Sequence, residues 1–318
     1  MYGSRKAPRS TARRTRRGLA ALVAAGAALT VWSAAAPASA SSASASSGSD
    51  SVGDAEVVCT SDRPGLASTL SHDIAGALQG RQGTSAVALY DRPSGTSCEF
   101  QAGTSFDSAS VVKVTVLGAL LRQAEEAHRV LTPHEVTLTT AMITKSDNAS
   151  TDALWRQVGR TGIQHFLDLA GMRHTVPGPG VSWGLTQITA ADQLTLMRLL
   201  TTDNTVLGAA SRDYALDLMR KVVPEQRWGV PAGAPLSTTA HLKNGWLPRA
   251  HQGWRVNSVG SFSGSGNDYA MALLSTGSDT MGYGVATVEA AAKVIHQDLA
   301  GAAGGQDTGQ APAAASGT

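Results

Sequence analysis

Residues 107–121, DSASVVKVTVLGALL, have the pattern of a helix that is apolar on nearly every side. Such a helix belongs in the core of a protein, because it has no polar face to turn towards water. Ser110 and Lys113 lie three residues apart in its first turn, so their side chains share one face. The stretch therefore predicts a central helix that holds a hydroxyl and an amine together, at the positive end of the helix dipole.

This pair has a chemical interpretation and a plain structural one. A lysine beside an apolar core loses hydration, which favours its neutral form and lets it accept a proton. A serine next to such a base becomes a nucleophile. Alternatively, Ser110 is an ordinary residue of a helix start and Lys113 a surface lysine that extends its amine to water. This Ser-x-x-Lys is the only one in the sequence, and its interpretation depends on what the rest of the chain supplies.

The order of the predicted elements indicates an α+β fold. A helix at 66–78 precedes strands at 85–90 and 96–101, helices fill 132–222, three strands lie between 240 and 275, and a helix at 285–299 follows. Strands that frame a helical insert most simply form one antiparallel sheet. We therefore expect a five-stranded antiparallel sheet flanked by helices, with an all-helical lobe beside it.

The first 40 residues have the three parts of an export signal. A basic segment, an uncharged apolar run over 18–36 and the small-residue site Ala38-Ser-Ala40 follow one another. A membrane anchor is the alternative, but the composition of the run and the Ser-rich tract after it favour cleavage. We expect a secreted bacterial protein without a membrane anchor, in which 41–64 is a flexible linker, 65–300 the folded domain and 301–318 a disordered tail.

Removal of the signal changes the charge balance. Seven of the 26 basic residues lie in it, which leaves 19 against 24 acidic residues and a net charge of −5. No basic and aromatic patch indicates nucleic-acid binding. Cys59 and Cys98 are candidates for a disulfide in an exported protein and, without a nearby His cluster, make a poor metal site. We expect a monomer without cofactor or metal.

Three short motifs occur in order: Ser110-Val-Val-Lys113, Ser146-Asp147-Asn148 and Lys243-Asn244-Gly245. Their order, and their placement at a helix start, in an interhelix loop and on a strand, resemble the signature of class A β-lactamases and penicillin-binding proteins. The third motif departs from that signature, since Asn244 replaces the usual Thr or Ser. The resemblance covers essentially the whole domain and implies a β-lactamase/transpeptidase-like fold that acylates a serine with β-lactams or acyl-D-Ala-type peptides.

The resemblance also implies a role for each motif residue. Ser110 would attack a carbonyl carbon, Lys113 would accept its proton, and Ser146 would relay a proton to the leaving nitrogen. The backbone N–H groups of Ser110 and Trp246 would stabilise the oxyanion. Lys243 would offer a positive charge to the substrate carboxylate. The residues expected to bind substrate are Asn148, Lys243, Asn244, Gly245, Trp246 and Arg255.

One part of the family pattern is missing. Class A β-lactamases carry a glutamate after the Ser-Asp-Asn lobe that activates the deacylating water, but residues 172–191 contain no Asp or Glu. His174 and Gln187 lie in this loop, and Asp168 and Asp192 flank it. We therefore expect acylation to outrun deacylation. An esterase or D,D-carboxypeptidase on the same site, and a catalytically silent β-lactam- or peptidoglycan-binding module, stay open as alternatives.

Overall fold

The structure, a computed structural model, describes residues 45–304. Two groups of strands, before residue 108 and after residue 238, enclose a mostly helical segment. The strands are β1 (Ser46–Val52), β2 (Ala55–Ser61), β3 (Thr84–Asp91), β4 (Thr96–Phe100), β5 (Phe106–Asp107), β6 (Gln187–Ile188), β7 (Thr239–Arg249), β8 (Gly253–Gly264) and β9 (Asn267–Ser278). The helices are α1 (Leu66–Leu78), α2 (Val112–Glu126), α3 (Pro133–Thr144), α4 (Asn148–Ala170), α5 (Ala190–Thr201), α6 (Ala209–Arg220) and α7 (Met281–Gly304).

The main sheet confirms the α+β prediction but has seven strands instead of five. Its order is β1-β2-β4-β3-β9-β8-β7, and each neighbouring pair is antiparallel. Strand β7, which carries the third motif, is therefore an edge strand. Its outer edge is free to face another part of the site.

Two apolar cores cover the two faces of this sheet. One core joins α1 and α7 to the sheet, with Leu70, Ile74 and Ile295 fully buried. The other core joins the opposite face to the helical lobe, and α2 lies at its centre. Eleven of the 15 residues of α2 are buried, which fits its nearly uniform apolar pattern. The first turn of α2 is thus held between the sheet and the helical lobe.

The two additional strands correct the domain boundaries expected from the sequence. Residues 46–61, assigned to the flexible linker 41–64, form a hairpin at the sheet edge, and Cys59 and Cys98 pair across β2 and β4 in a disulfide. Strand β1 also packs on α1, because Gly48 has no side chain to collide with the Ser68 backbone. Helix α7 continues to Gly304, beyond the start expected for the tail. The signal 1–40 and residues 305–318 lie outside the described residues.

Local signals in the sequence fix the helices that frame the site. Helix α3 begins at a capping box between Thr132 and Glu135. Helix α4 begins at Asp147, whose side chain accepts a hydrogen bond from the Ser150 backbone N–H. It is kinked at Gly159, where the sequence predicts a break between two helices. Asp147 thereby fixes where the second motif leaves the loop and enters the helix.

Candidate active site

Ser110 lies in a tight turn immediately before α2. Residues Ala109–Val111 form a 3-10 turn, so the long helix begins at Val112, after the serine. Ala109 has φ 47°, a left-handed conformation that costs an L-residue about 1–2 kcal/mol. Such strain is stored where the surrounding structure fixes the backbone, often at functional sites. The turn leaves Ser110 half-buried rather than enclosed in the core.

Strand β7 passes directly beside this turn because Gly245 has no side chain. A Cβ at Gly245 would lie 2.7 Å from the Ser110 nitrogen and 2.8 Å from the Val111 nitrogen. The glycine of the third motif therefore allows the edge strand to reach the backbone of the nucleophile. The next residue, Trp246, is half-buried, and its ring lies 5.9 Å from that of Trp228.

Lys113 is completely buried, and its amine is bound to the second motif. Its Nζ donates to the Ser146 backbone oxygen at 2.6 Å, to Ser146 Oγ at 3.0 Å and to Asn148 Oδ1 at 2.8 Å. Burial lowers the pKa of Lys113 to about 7, against the opposing influence of Asp147 and Asp152. A lysine with this pKa is partly neutral near pH 7 and can accept a proton.

The hydroxyl of Ser146 lies between two lysines. Lys243 is also completely buried, and its Nζ donates to Ser146 Oγ at 3.0 Å and to the Asn244 backbone oxygen at 2.8 Å. Burial and the nearby charge of Lys113 hold the pKa of Lys243 well below its usual value. Two amines thus direct the orientation of one hydroxyl. The Asn148 side chain, which accepts from Lys113 through Oδ1, is exposed at the rim of the site.

Asn244 does not have the role that its motif position suggested. It is fully buried, and its Nδ2 donates at 2.8 Å to the backbone oxygens of Gln226 and Trp228. The Ser258 hydroxyl donates to its Oδ1 at 2.6 Å. The prediction that the Asn244 amide binds a substrate carboxylate is therefore wrong, because these internal bonds occupy both ends of the amide. Asn244 instead fastens residues 226–228 to the sheet.

Arg255 is likewise engaged within the protein. Its Nε lies 3.2 Å from Asp107 Oδ2, and its other nitrogens donate to Gln252 and Gly253. Arg249 adds a second positive charge 3.5 Å from the same carboxylate. Arg255 thus joins β8 to the segment before Ser110, which replaces the predicted contact with the substrate.

Comparisons with known proteins identify the family of this chain. The chain matches the beta-lactamase enzyme family over residues 69–139 and 133–299, which together span most of the described domain. The chain belongs to this family. No curated protein matches it in sequence.

Solved structures share the fold of this β-lactamase-family chain. A class A β-lactamase from Bacteroides cellulosilyticus has a TM-score of 0.65 at 16% identity, over 74% of this chain and 99% of that one. PBP-A has a TM-score of 0.63 at 19% identity, over 73% and 96%. A β-lactamase from Xanthomonas campestris pv. campestris has a TM-score of 0.63 at 18% identity, over 74% and 98%. At these identities the likeness establishes the fold alone.

The loop formed by residues 172–191, which contains no Asp or Glu, is bound to the rest of the protein by strand pairing and hydrogen bonds. Strand β6 at its end pairs with β5, and the Ser108 N–H donates to the Thr186 oxygen. Gln187 donates to Asp107 and accepts from Ser105, so its amide is occupied away from Lys113. Asp192 is buried and accepts bonds from the His174 backbone and the Thr175 hydroxyl. His174 itself is largely exposed.

Two residues that the sequence did not assign to the site lie beside Lys113. Trp183, on the loop, places its ring centroid 4.7 Å from Lys113 Nζ. Its indole N–H donates to Asp152 Oδ1 at 2.8 Å. Asp152 follows Asn148 by four residues on α4, so it shares a helix face with a motif residue. That spacing was the signal available in the sequence.

Two further findings concern metal binding and membrane insertion. Between residues 45 and 304, no group of three or more His, Cys, Asp or Glu side chains is arranged to hold a metal ion. Over the same range, none of the helices is both long and apolar enough to cross a membrane.

Proposed function

We propose that the protein is a secreted serine hydrolase that forms an acyl-enzyme on Ser110 with β-lactams or acyl-D-Ala-type peptides. The observation that carries this proposal is the convergence of Lys113 and Lys243 on Ser146 Oγ, beside the turn that bears Ser110. A neutral amine, a second hydroxyl and an adjacent nucleophile are the parts that serine acyl transfer without a histidine requires.

The proposed acylation gives each of these groups a role. Ser110 Oγ bonds to the substrate carbonyl carbon while its proton passes to neutral Lys113. The backbone N–H groups of Ser110 and Trp246 stabilise the oxyanion. The carbon–nitrogen bond then breaks, and the leaving nitrogen receives a proton through Ser146, which Lys113 resupplies. Lys243 orients Ser146, and a substrate carboxylate bound beside it would favour its charged form. The exposed amide of Asn148 binds the substrate amide.

Release of the acyl group is proposed to be slow. The loop that would supply the water-activating glutamate of class A β-lactamases holds none, and Gln187 and Asp192 are committed to other bonds. PBP-A, which has this fold, is solved as a variant in an acyl-enzyme complex with penicillin G. A long-lived penicilloyl adduct on Ser110 is the corresponding expectation for this chain.

The proposed location is outside the cell. The pattern of residues 1–40 supports export followed by cleavage. The Cys59–Cys98 disulfide also supports an oxidising compartment, since disulfides persist mainly outside the cytosol. We propose that the mature protein acts there as a monomer without a membrane anchor.

Intact-protein mass spectrometry of the mature protein after mixing with a reactive penicillin tests the function. We expect a mass increase equal to one penicillin, localised to Ser110 by peptide mapping and absent from Ser110→Ala. Absence of any adduct and of any turnover would favour the silent binding module. Cleavage of simple esters or acyl-D-Ala-D-Ala peptides without a penicillin adduct would favour the esterase or carboxypeptidase alternative.

A further inference from the structure

Lys113 is buried partly beneath an aromatic ring. The Trp183 ring centroid lies 4.7 Å from Lys113 Nζ, within the distance of a cation–π contact, and none of the Lys113 side chain is exposed. Trp183 itself is half-buried. One part of its ring system therefore covers the amine while another part reaches solvent. The ring forms part of the boundary between the proposed base and bulk water.

The ring is held in this place from two directions. Its indole N–H donates to Asp152 Oδ1 at 2.8 Å. Its backbone belongs to a short 3-10 turn, Trp183–Leu185, in which the Trp183 oxygen accepts from the Thr186 N–H at 3.0 Å. The Ser108 hydroxyl also approaches that oxygen at 3.4 Å. The loop backbone and the α4 carboxylate together fix the ring over Lys113.

We propose that Trp183, held by Asp152, is a positioning residue that keeps water away from Lys113 and thereby sets the lifetime of the acyl-enzyme. This inference rests on the proposed function. Release of the acyl group requires a water oxygen to bond to the acyl carbon, the bond from that carbon to Ser110 Oγ to break, and Oγ to regain a proton. Neutral Lys113 is the base nearest to this reaction. An indole fixed over its amine occupies one approach of the water that it would activate.

Asp152 has a second influence, through its charge. Asp147 and Asp152 both act to raise the pKa of Lys113 against burial, while Lys243 is the other titratable group bound to the same hydroxyl. Removal of the Asp152 charge lowers the pKa of Lys113 further. Asp152→Asn keeps an oxygen acceptor for the indole but removes this charge, whereas Asp152→Ala removes both. The two variants therefore separate the hydrogen bond from the electrostatic effect.

The test measures how fast the penicilloyl adduct forms and decays, by intact mass spectrometry, in the mature wild-type protein and four variants. Trp183→Ala removes the ring, and we expect the adduct lifetime to fall at least about tenfold. Trp183→Phe keeps a ring but loses its bond to Asp152, and Asp152→Ala loses the acceptor, so both should shorten the lifetime to a smaller degree. Asp152→Asn should shorten the adduct lifetime less than Asp152→Ala does. It should also move the midpoint of the rise of the acylation rate with pH to a lower pH.

Trp155→Phe is the matched control. The Trp155 indole donates at 2.9 Å to the Gly180 oxygen of the same loop, and within the described residues it forms neither a hydrogen bond nor a cation–π contact with Lys113. Its variant should keep the wild-type lifetime. An equal loss of lifetime in Trp155→Phe and Trp183→Phe would show that general loop order is responsible, and would overturn the proposal.

A second readout separates failure of this inference from failure of the proposed function. Labelling of lysines by an amine-reactive nitrobenzene, followed by peptide mapping, reports the access of water and reagent to Lys113 without any substrate. We expect Lys113 labelling to increase in Trp183→Ala. Unchanged labelling and unchanged lifetime, with a normal wild-type adduct, would overturn the inference alone. A wild-type protein that forms no adduct would refute the proposed function and this inference with it.

Discussion

The backbone nitrogen of Ser110 lies 2.7 Å from the position that a Cβ on Gly245 would occupy. A Cβ carbon does not approach a non-bonded nitrogen so closely, so any larger residue at 245 must push β7 away from the turn. The backbone of the third motif therefore shapes the site as much as its side chains do. The glycine sets the width of the gap between the nucleophile and the edge strand.

Gly245→Ala should reduce acylation of Ser110 by roughly 100-fold, the effect of a misplacement of about 1 Å at a reacting centre. The physical reason is displacement of β7 from the Ser110 N–H. The rate of adduct formation with a chromogenic β-lactam measures it. Gly282→Ala is the control, since a Cβ at Gly282 meets no atom within 4 Å. Equal acylation rates in both variants would contradict a role for the close approach.

The acylation rate should rise with pH, with a midpoint near 7. Lys113 must be neutral to accept the Ser110 proton, and its pKa is lowered to about 7 by burial. Below that pH the amine is protonated and acylation slows; above it the rate reaches a plateau. Pre-steady-state rates of adduct formation between pH 5 and 9 measure this limb.

Lys113→Arg supplies the control for that pH profile. Arginine keeps a positive charge throughout the accessible pH range and cannot act as the base. Acylation should therefore fall at least about 100-fold, the usual contribution of a general base. A flat profile in the wild-type protein, or a Lys113→Arg variant within a few-fold of it, would assign Lys113 to packing.

The helices and central strands could be predicted because their signals are local. The four-residue period of Leu66, Leu70, Ile74 and Leu78 predicts α1 with the bounds that the structure gives it. The N-terminal hairpin was missed because its first strand, SSGSDSV, has the composition of a linker and a single apolar side chain. Its position depends on pairing with β2 and on the contact of Gly48 with α1, which are long-range interactions that composition does not reveal.

The candidate site was predictable where it depends on motif spacing and unpredictable where it depends on contacts. The groups that accept hydrogen bonds from Lys113 all come from the second motif. The destination of the Asn244 side chain could not be inferred, because it depends on carbonyl groups 16 and 18 residues away. Trp183 and Asp152 are separated by 31 residues, so only the fold makes their hydrogen bond visible.

Asn244→Ala should lower the free energy of unfolding by about 1–3 kcal/mol, because it leaves two backbone carbonyls and the Ser258 hydroxyl without their partner. Asn244→Thr should also destabilise the protein, since one hydroxyl cannot reach both carbonyls. Urea denaturation measures both. Thr104→Ala, at an exposed side chain, should stay within about 0.5 kcal/mol of the wild type and is the control. A Thr variant that is fully stable and acylates faster would restore the carboxylate-binding role.

Removal of the disulfide should cost stability without affecting acylation. Cys59 and Cys98 face each other across β2 and β4 at a sequence separation of 39, and the typical contribution of such a cross-link is about 2–4 kcal/mol. Because β2 and β7 lie near opposite edges of the sheet, the Ser110 turn should keep its geometry. The Cys59→Ala/Cys98→Ala variant should therefore unfold at a lower urea concentration but acylate at the wild-type rate. Two free thiols in the unreduced exported protein would contradict the cross-link, and a parallel loss of acylation would mean that the N-terminal hairpin supports the active site.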